Sequence, residues 1–166
     1  MMQTSLAPPR RVLRFAVLAL LLSLLSGASA FCQMRNIYDE SADAHAQVRD
    51  ALARAAREHK RVLLDFGGNW CGDCQVLNIY FHREPNAALL ADNYILVDID
   101  IGHMDKNLDI ARQYDVPLAK GVPALAVLNA HGRLLYSQTN GEFEAMRRMD
   151  PNSVTEFLER WKPAGS

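Results

Sequence analysis

Residues 62–75 of the chain read VLLDFGGNWCGDCQ, and the prediction of the fold starts from this stretch. Its first part, Val62–Phe66, is an apolar run interrupted only by Asp65, which is typical of a strand covered on both faces. The Gly-Gly-Asn at residues 67–69 then turns the chain. The apolar spacing that follows Cys74 is compatible with a helix. The stretch therefore predicts a strand, a turn and a helix that begins at a Cys-x-x-Cys motif.

The two cysteines of this motif, Cys71 and Cys74, lie on one face of the predicted helix, close enough to form a disulfide. Cys71 would lie at the helix N-terminus, where free N–H groups and the helix dipole favour a thiolate. We interpret the motif as a dithiol–disulfide exchange site. Two alternatives stay open. A zinc site would need two further ligands, and a structural disulfide in so short a loop would stabilise the fold little.

The segment DFGGNWCGDC, at residues 65–74, resembles the active-site signature of the thioredoxin superfamily. Trp70 precedes the first cysteine as it does in that family, and Asp65 stands where its members carry a buried acidic residue. The resemblance implies an α/β, thioredoxin-like fold, with a central mixed sheet of about four strands flanked by helices. It also implies that the protein is a thiol–disulfide oxidoreductase.

The first thirty residues have the features of a secretory signal peptide. These are a positive region, an apolar run and a small-residue cleavage pattern, formed by Arg10, Arg11, Arg14, residues 15–25, Ala28 and Ala30. The apolar run is too short to span a bilayer, which needs about 20 residues. We expect cleavage after Ala30 and a periplasmic protein. The expected organisation is a signal peptide at 1–30, a flexible tail at 31–40 and a thioredoxin-like domain at 41–163.

The composition indicates an ordinary globular protein, with 49% hydrophobic and 22% charged residues. Removing residues 1–30 takes away 3 of the 18 basic residues and none of the 19 acidic ones, which leaves a formal charge of −4. Without a basic run, nucleic acid is not an expected partner. We expect a monomer without cofactor or metal. Cys32 is interpreted as a spare thiol, and lipid attachment to it is an alternative that the bulky Phe31 disfavours.

The rest of the chain predicts helices and strands in an order that agrees with this fold. The expected helices are Ser41–Lys60 with Ser41 or Asp43 as cap, Cys71–Phe81, Asn86–Asp92, one from Asp105 or Asn107 to Tyr114, and one starting at Asp150-Pro151. The expected strands are Val62–Phe66, Tyr94–Ile101, Ala124–Leu128 and Leu134–Gln138. We place the second strand at the centre of the sheet, beside the first.

The resemblance implies three catalytic residues. Cys71 would attack a substrate disulfide, and Cys74 would resolve the mixed disulfide and leave the two cysteines as the redox disulfide. Asp65, buried and with a raised pKa, would take up or return the proton of Cys74. Leu96 stands at the position of the family's partner lysine, so this carboxylate would lack a cation. An exposed or merely hydrogen-bonded Asp65 is the alternative.

Five residues are expected to bind substrate, namely Trp70, Gly72, Asp73, Val122 and Pro123. Val122-Pro123 resembles the cis-proline segment that faces the dithiol in this superfamily, where its backbone can pair with an extended substrate. Trp70 would shield the dithiol and offer an apolar docking surface. The charge of Asp73 should disfavour the Cys71 thiolate, giving a pKa nearer that of thioredoxin than that of a strong oxidase. His103 and His131 receive no role.

These observations predict an enzyme that reduces or exchanges disulfides of periplasmic proteins. Its partners would be protein disulfides and thiols, together with a membrane thiol electron donor. Net oxidation of thiols and a non-catalytic, client-binding module with a structural disulfide are the alternatives.

Overall fold

The computed structural model describes residues 34–164, so the predicted signal peptide, its cleavage site and Cys32 lie outside the described residues. The helices are α1 (Ala44–Glu58), α2 (Gly72–Phe81), α3 (Asn86–Asn93), α4 (Leu108–Gln113) and α5 (Asn152–Trp161). The strands are β1 (Arg61–Gly67), β2 (Tyr94–Asp100), β3 (Ala124–Leu128) and β4 (Leu134–Ser137), and two short 3-10 helices span Leu118–Lys120 and Met146–Arg148. None of the helices in the described part is long and apolar enough to cross a membrane.

The four strands form one mixed sheet in the order β2-β1-β3-β4, which confirms the predicted fold class. β1 is parallel to β2 and antiparallel to β3. The prediction that the second strand lies at the centre of the sheet is wrong, because β2 is an edge strand. Its apolar sequence reflects the contacts of β2 with α1 and α3 rather than a further strand.

The sheet separates two apolar cores, because successive side chains of β1 point to opposite faces. Val62, Leu64 and Phe66 pack with the buried face of α1. Leu63 packs on the other face, with buried residues of α2 and α5 that include Leu77. The carboxyl end of β1 is thus held from both sides, and the chain enters the Cys-x-x-Cys turn from a rigid strand.

The predicted helix starts are largely reproduced. Asp43 caps α1, since its carboxylate accepts a hydrogen bond from the Ala46 N–H at 3.0 Å. At α5, the Asp150 carboxylate accepts from the Asn152 N–H at 2.9 Å, while Pro151 precedes the first helical residue. Local side-chain chemistry was therefore sufficient to place both starts to within a few residues.

The segment before α1 differs from the predicted flexible tail over residues 35–40. The Asn69 side chain accepts hydrogen bonds from the backbone N–H groups of Ile37 and Tyr38, at 2.9 and 3.0 Å, and donates one to the Tyr38 carbonyl at 2.9 Å. Tyr38 is fully buried. Apolar periodicity carries no signal for such side-chain-to-backbone bonds, which fasten this segment to the active-site turn.

Candidate active site

The two motif cysteines lie where β1 gives way to α2, and they are joined in a disulfide with their Cα atoms 5.2 Å apart. Cys71 is the N-cap residue of α2, and its Sγ accepts a hydrogen bond from the Cys74 N–H at 3.1 Å. Cys74 is the more deeply buried of the two, 0% exposed against 5% for Cys71. After reduction, the same N–H and the helix dipole would stabilise a thiolate at Cys71.

The Val122–Pro123 peptide bond is cis, as predicted, and its segment faces the dithiol. The Val122 carbonyl oxygen lies 3.6 Å from Cys71 Sγ. The Pro123 carbonyl accepts a hydrogen bond from the buried Gln138 side chain at 3.3 Å. A backbone acceptor is therefore held directly beside the sulfur predicted to attack.

Trp70 lies beside the dithiol with 43% of its surface exposed. Its indole Nε1–H donates to the Gly102 carbonyl at 2.6 Å, and the ring stacks on His103 with centroids 5.6 Å apart. His103, to which the sequence assigned no role, thus orients this side chain. The exposed indole leaves apolar surface available next to Cys71.

Asp65 is 1% exposed, which excludes the alternative of a surface carboxylate. Its Oδ2 accepts a hydrogen bond from the Tyr38 hydroxyl at 3.1 Å, and its Oδ1 is buried without a hydrogen-bond partner among the described residues. Burial first, and then the charge of Asp98, raise the pKa of Asp65 well above its ordinary value, and the Tyr38 bond opposes this. Leu96 is partly buried and packs against the apolar core, so no cation comes from the family's lysine position.

A second carboxylate, Asp98, lies next to Asp65 because the two residues are register partners on β2 and β1. Its Oδ1 is also buried without a hydrogen-bond partner in the described part of the chain. Burial raises the pKa of Asp98 to about 6, against the opposing influence of His82. A buried and a half-buried carboxylate therefore lie side by side behind the dithiol.

Asp73, between the cysteines, is not the isolated charge that the sequence argument assumed. Its carboxylate accepts three hydrogen bonds from Arg147, from the backbone N–H at 2.9 Å and from Nε and Nη2 at 3.1 and 2.8 Å. Partial burial would raise the pKa of Asp73, but these bonds hold it below its ordinary value. The negative charge expected to oppose the Cys71 thiolate is therefore compensated by a guanidinium.

We predict opposite effects from breaking this pair on either side. Arg147→Ala should lower the thiolate fraction of Cys71 at neutral pH by about two- to fivefold, because it exposes the thiolate to the uncompensated Asp73 charge. Asp73→Asn should raise it. The pH dependence of alkylation of the reduced protein measures both. Arg148→Ala is the matched control, because it removes a neighbouring guanidinium that does not make these hydrogen bonds. If Arg147→Ala and Asp73→Asn changed the thiolate fraction of Cys71 in the same direction, the pairing would be contradicted.

The structure brings together all of the predicted site residues and adds Tyr38, Asn69, Asp98 and Arg147. The sequence argument missed these four because each acts through a partner that is distant in the sequence, 27 positions away for Tyr38 and 74 for Arg147. Only strand register could have indicated Asp98, which alternation places on the same face of the sheet as Asp65. Within residues 34–164, no group of three or more His, Cys, Asp or Glu residues could hold a metal ion.

The sequence matches the profile of the family described as thioredoxin-like over residues 43–130. Among proteins with curated descriptions, none matches the sequence.

Solved structures resemble the fold at different levels of sequence identity. One is the disulphide isomerase from Xylella fastidiosa Temecula1, with 38% identity and a TM-score of 0.73, covering 77% of this chain and 98% of that chain. Another is the C-terminal domain of DsbD from Neisseria meningitidis in its oxidised form, with 17% identity and a TM-score of 0.52, covering 72% of this chain and 96% of that chain. The second similarity concerns the fold alone.

Proposed function

Since the chain belongs to the thioredoxin-like family and is a thiol–disulfide oxidoreductase, we propose that it reduces or exchanges disulfides of periplasmic proteins. The single observation that carries this proposal is the geometry at Cys71. Its sulfur lies at the N-terminus of α2 and 3.6 Å from the carbonyl of a cis Val122–Pro123 segment. A nucleophilic sulfur and a backbone acceptor for an extended substrate are thus combined in one place.

The reaction begins with the reduced enzyme. The Cys71 thiolate attacks one sulfur of a substrate disulfide, forms a mixed disulfide and releases the other substrate sulfur as a thiolate. Cys74 then loses its proton to Asp65 and attacks Cys71 Sγ, which releases the second substrate thiolate and forms the Cys71–Cys74 disulfide. Two electrons pass from the dithiol to the substrate, and the released thiolates take protons from solvent.

The substrate would lie across the exposed side of the dithiol. The Val122 backbone would pair with the extended segment that carries the substrate cystine. Trp70 would contact apolar side chains beside it, since 43% of its surface is exposed and its ring is fixed by Gly102 and His103. Gly72 and Asp73 would form the adjoining rim, where the Arg147 guanidinium lies close to Gly72.

The cellular part of the proposal rests on the N-terminal sequence. A signal peptide at residues 1–30, cleaved after Ala30, would deliver the domain to the periplasm. That compartment is oxidising, so an enzyme that acts as a reductant there needs a supply of electrons. We therefore include a membrane thiol donor as its partner.

The direction of electron flow is tested by running both reactions on the same preparation. With a small dithiol as electron source, we expect catalytic amounts of the protein to accelerate insulin reduction. Oxidation of a reduced, unfolded protein by the disulfide form should be at least about tenfold less efficient. Faster oxidation than reduction would identify a thiol oxidase instead. Binding of unfolded protein without turnover in either assay would identify a client-binding module.

A further inference from the structure

We infer that Tyr38 and Asp98 extend Asp65 into a proton path, which carries the proton of Cys74 to a groove at the outer edge of β2. This inference rests on the proposed roles of the dithiol and of Asp65. It gives Tyr38 and Asp98, which belong neither to the Cys-x-x-Cys motif nor to the family signature, a role in proton transfer. The path has three steps, each of which joins two neighbouring groups.

The first step joins Cys74 to Tyr38, and Gly67 shows how close the two are. A Cβ added to Gly67 would lie 2.3 Å from the Tyr38 hydroxyl oxygen and 2.8 Å from Cys74 Sγ. Since both atoms flank one point at these distances, they are at most 5.1 Å apart. Once reduction frees Cys74, its thiol lies within reach of the hydroxyl, directly or through one water. Only glycine leaves the space for this approach.

The second step joins Tyr38 to Asp65. The hydroxyl donates to Asp65 Oδ2 at 3.1 Å, and the Tyr38 side chain is fully buried. The hydroxyl oxygen can accept the Cys74 proton while its own proton passes to Asp65. One S–H bond and one O–H bond break, and two O–H bonds form, so no electrons move and no charge is left on the tyrosine.

The third step joins Asp65 to Asp98. The two residues are register partners on adjacent parallel strands, which are about 4.8 Å apart, and both side chains point to the same face. Each has an Oδ1 that is buried without a hydrogen-bond partner among residues 34–164. A neutral Asp65 therefore has an ionised carboxylate as its nearest acceptor on β2. One proton bound by the pair removes the repulsion between two negative charges, and its transfer to Asp98 leaves the negative charge on Asp65.

Asp98 provides the exit, because it also lines a groove of about 430 Å³ at the edge of the sheet. Asp39, Asp50 and Arg54 line the same groove. One end of the Asp98 side chain is thus buried beside Asp65, while the residue itself borders open space. A carboxylate in this position can return the proton to water after each turnover.

Among the described residues, neither Asp65 nor Asp98 forms an ion pair with a cation. Burial first, and then the charges of nearby carboxylates that include Asp100 on β2, raise the pKa of Tyr38. The Asp100 carboxylate pairs with Lys106 at 3.2 Å. Burial raises the pKa of Asp98, and the charge of His82, at the end of α2, opposes this rise. The pair therefore binds a proton more readily than a carboxylate that is paired with a cation.

The test separates the two chemical steps with dithiobis-nitrobenzoate and reduced enzyme in a single turnover. Attack by Cys71 releases the first coloured thiolate, and attack by Cys74 on the mixed disulfide releases the second. For Tyr38→Phe and for Asp98→Asn, we expect the first release to stay within about twofold of wild type and the second to slow about tenfold. The wild-type second release should rise with pH near the pKa of Asp98, about 6, and Asp98→Asn should lack this rise.

Asp92→Asn is the control, since it removes a carboxylate that is exposed on α3 and should leave both releases unchanged. Asp98→Glu, which keeps a titrating carboxylate, should restore most of the second release. The inference is overturned if folded Tyr38→Phe and Asp98→Asn both resolve at the wild-type rate, or if they slow both releases equally. A wild-type protein that gives no second release would instead contradict the proposed function.

Discussion

Asp65→Asn is expected to stabilise the oxidised protein near pH 8 while leaving its stability near pH 3 unchanged. The carboxylate is 1% exposed, and burial followed by the charge of Asp98 raises its pKa well above the ordinary value. A group whose pKa is raised on folding contributes stability below its unfolded pKa, about 3.9 for aspartate, and loses it as the pH rises through the folded value. Asparagine keeps an acceptor for the Tyr38 hydroxyl and never has to be ionised in the core.

The expected gain near pH 8 is about 2 kcal/mol in the free energy of unfolding, the scale of an uncompensated buried charge. It should appear as a rise of several degrees in melting temperature. Urea unfolding at both pH values measures it, with Asp92→Asn as control because Asp92 is exposed on α3. Equal stability of wild type and Asp65→Asn near pH 8 would show that ionisation of the buried Asp65 carboxylate does not destabilise the fold. Asp65→Asn should still resolve mixed disulfides slowly, and because the variant is more stable than wild type, a loss of stability would not explain the slower reaction.

The parts of the fold that the sequence predicted are those with strong local signals. Residues 62–75 combine an apolar run, a glycine turn and two cysteines at fixed spacing, and the structure contains the strand, the turn and the helix there. Val122-Pro123 was placed by its resemblance to a family segment, and its peptide bond is cis. In each case the physical determinant lies within a few residues of the chain.

The parts that the sequence did not predict depend on pairing between distant residues. The edge position of β2 follows from strand order, which an apolar run such as YILVDIDI does not encode. The Arg147 guanidinium binds Asp73 across 74 positions, and Asn69 holds Tyr38 across 31. Charge and polarity alone therefore gave the wrong environment for Asp73 and for residues 35–40, because the compensating partner could not be known.

Cys71→Ser is expected to lower disulfide-reductase turnover by about 1,000-fold or more, since a hydroxyl at this position is not ionised at neutral pH and cannot replace the thiolate. Cys74→Ser should lower turnover to a similar extent for a different reason. Cys71 would still attack, but nothing would resolve the mixed disulfide, so substrate should remain covalently attached. The two variants thus differ in trapping although both are inactive, and a purely structural disulfide would predict no such difference.

The most direct test is to measure insulin reduction and covalent trapping together, with every variant built on Cys32→Ser so that no third thiol interferes. The wild-type pair should turn over, Cys74→Ser should accumulate a substrate adduct that a reducing agent removes, and Cys71→Ser should do neither. Retention of more than about a tenth of wild-type turnover by folded Cys71→Ser would contradict the assignment of Cys71 as nucleophile.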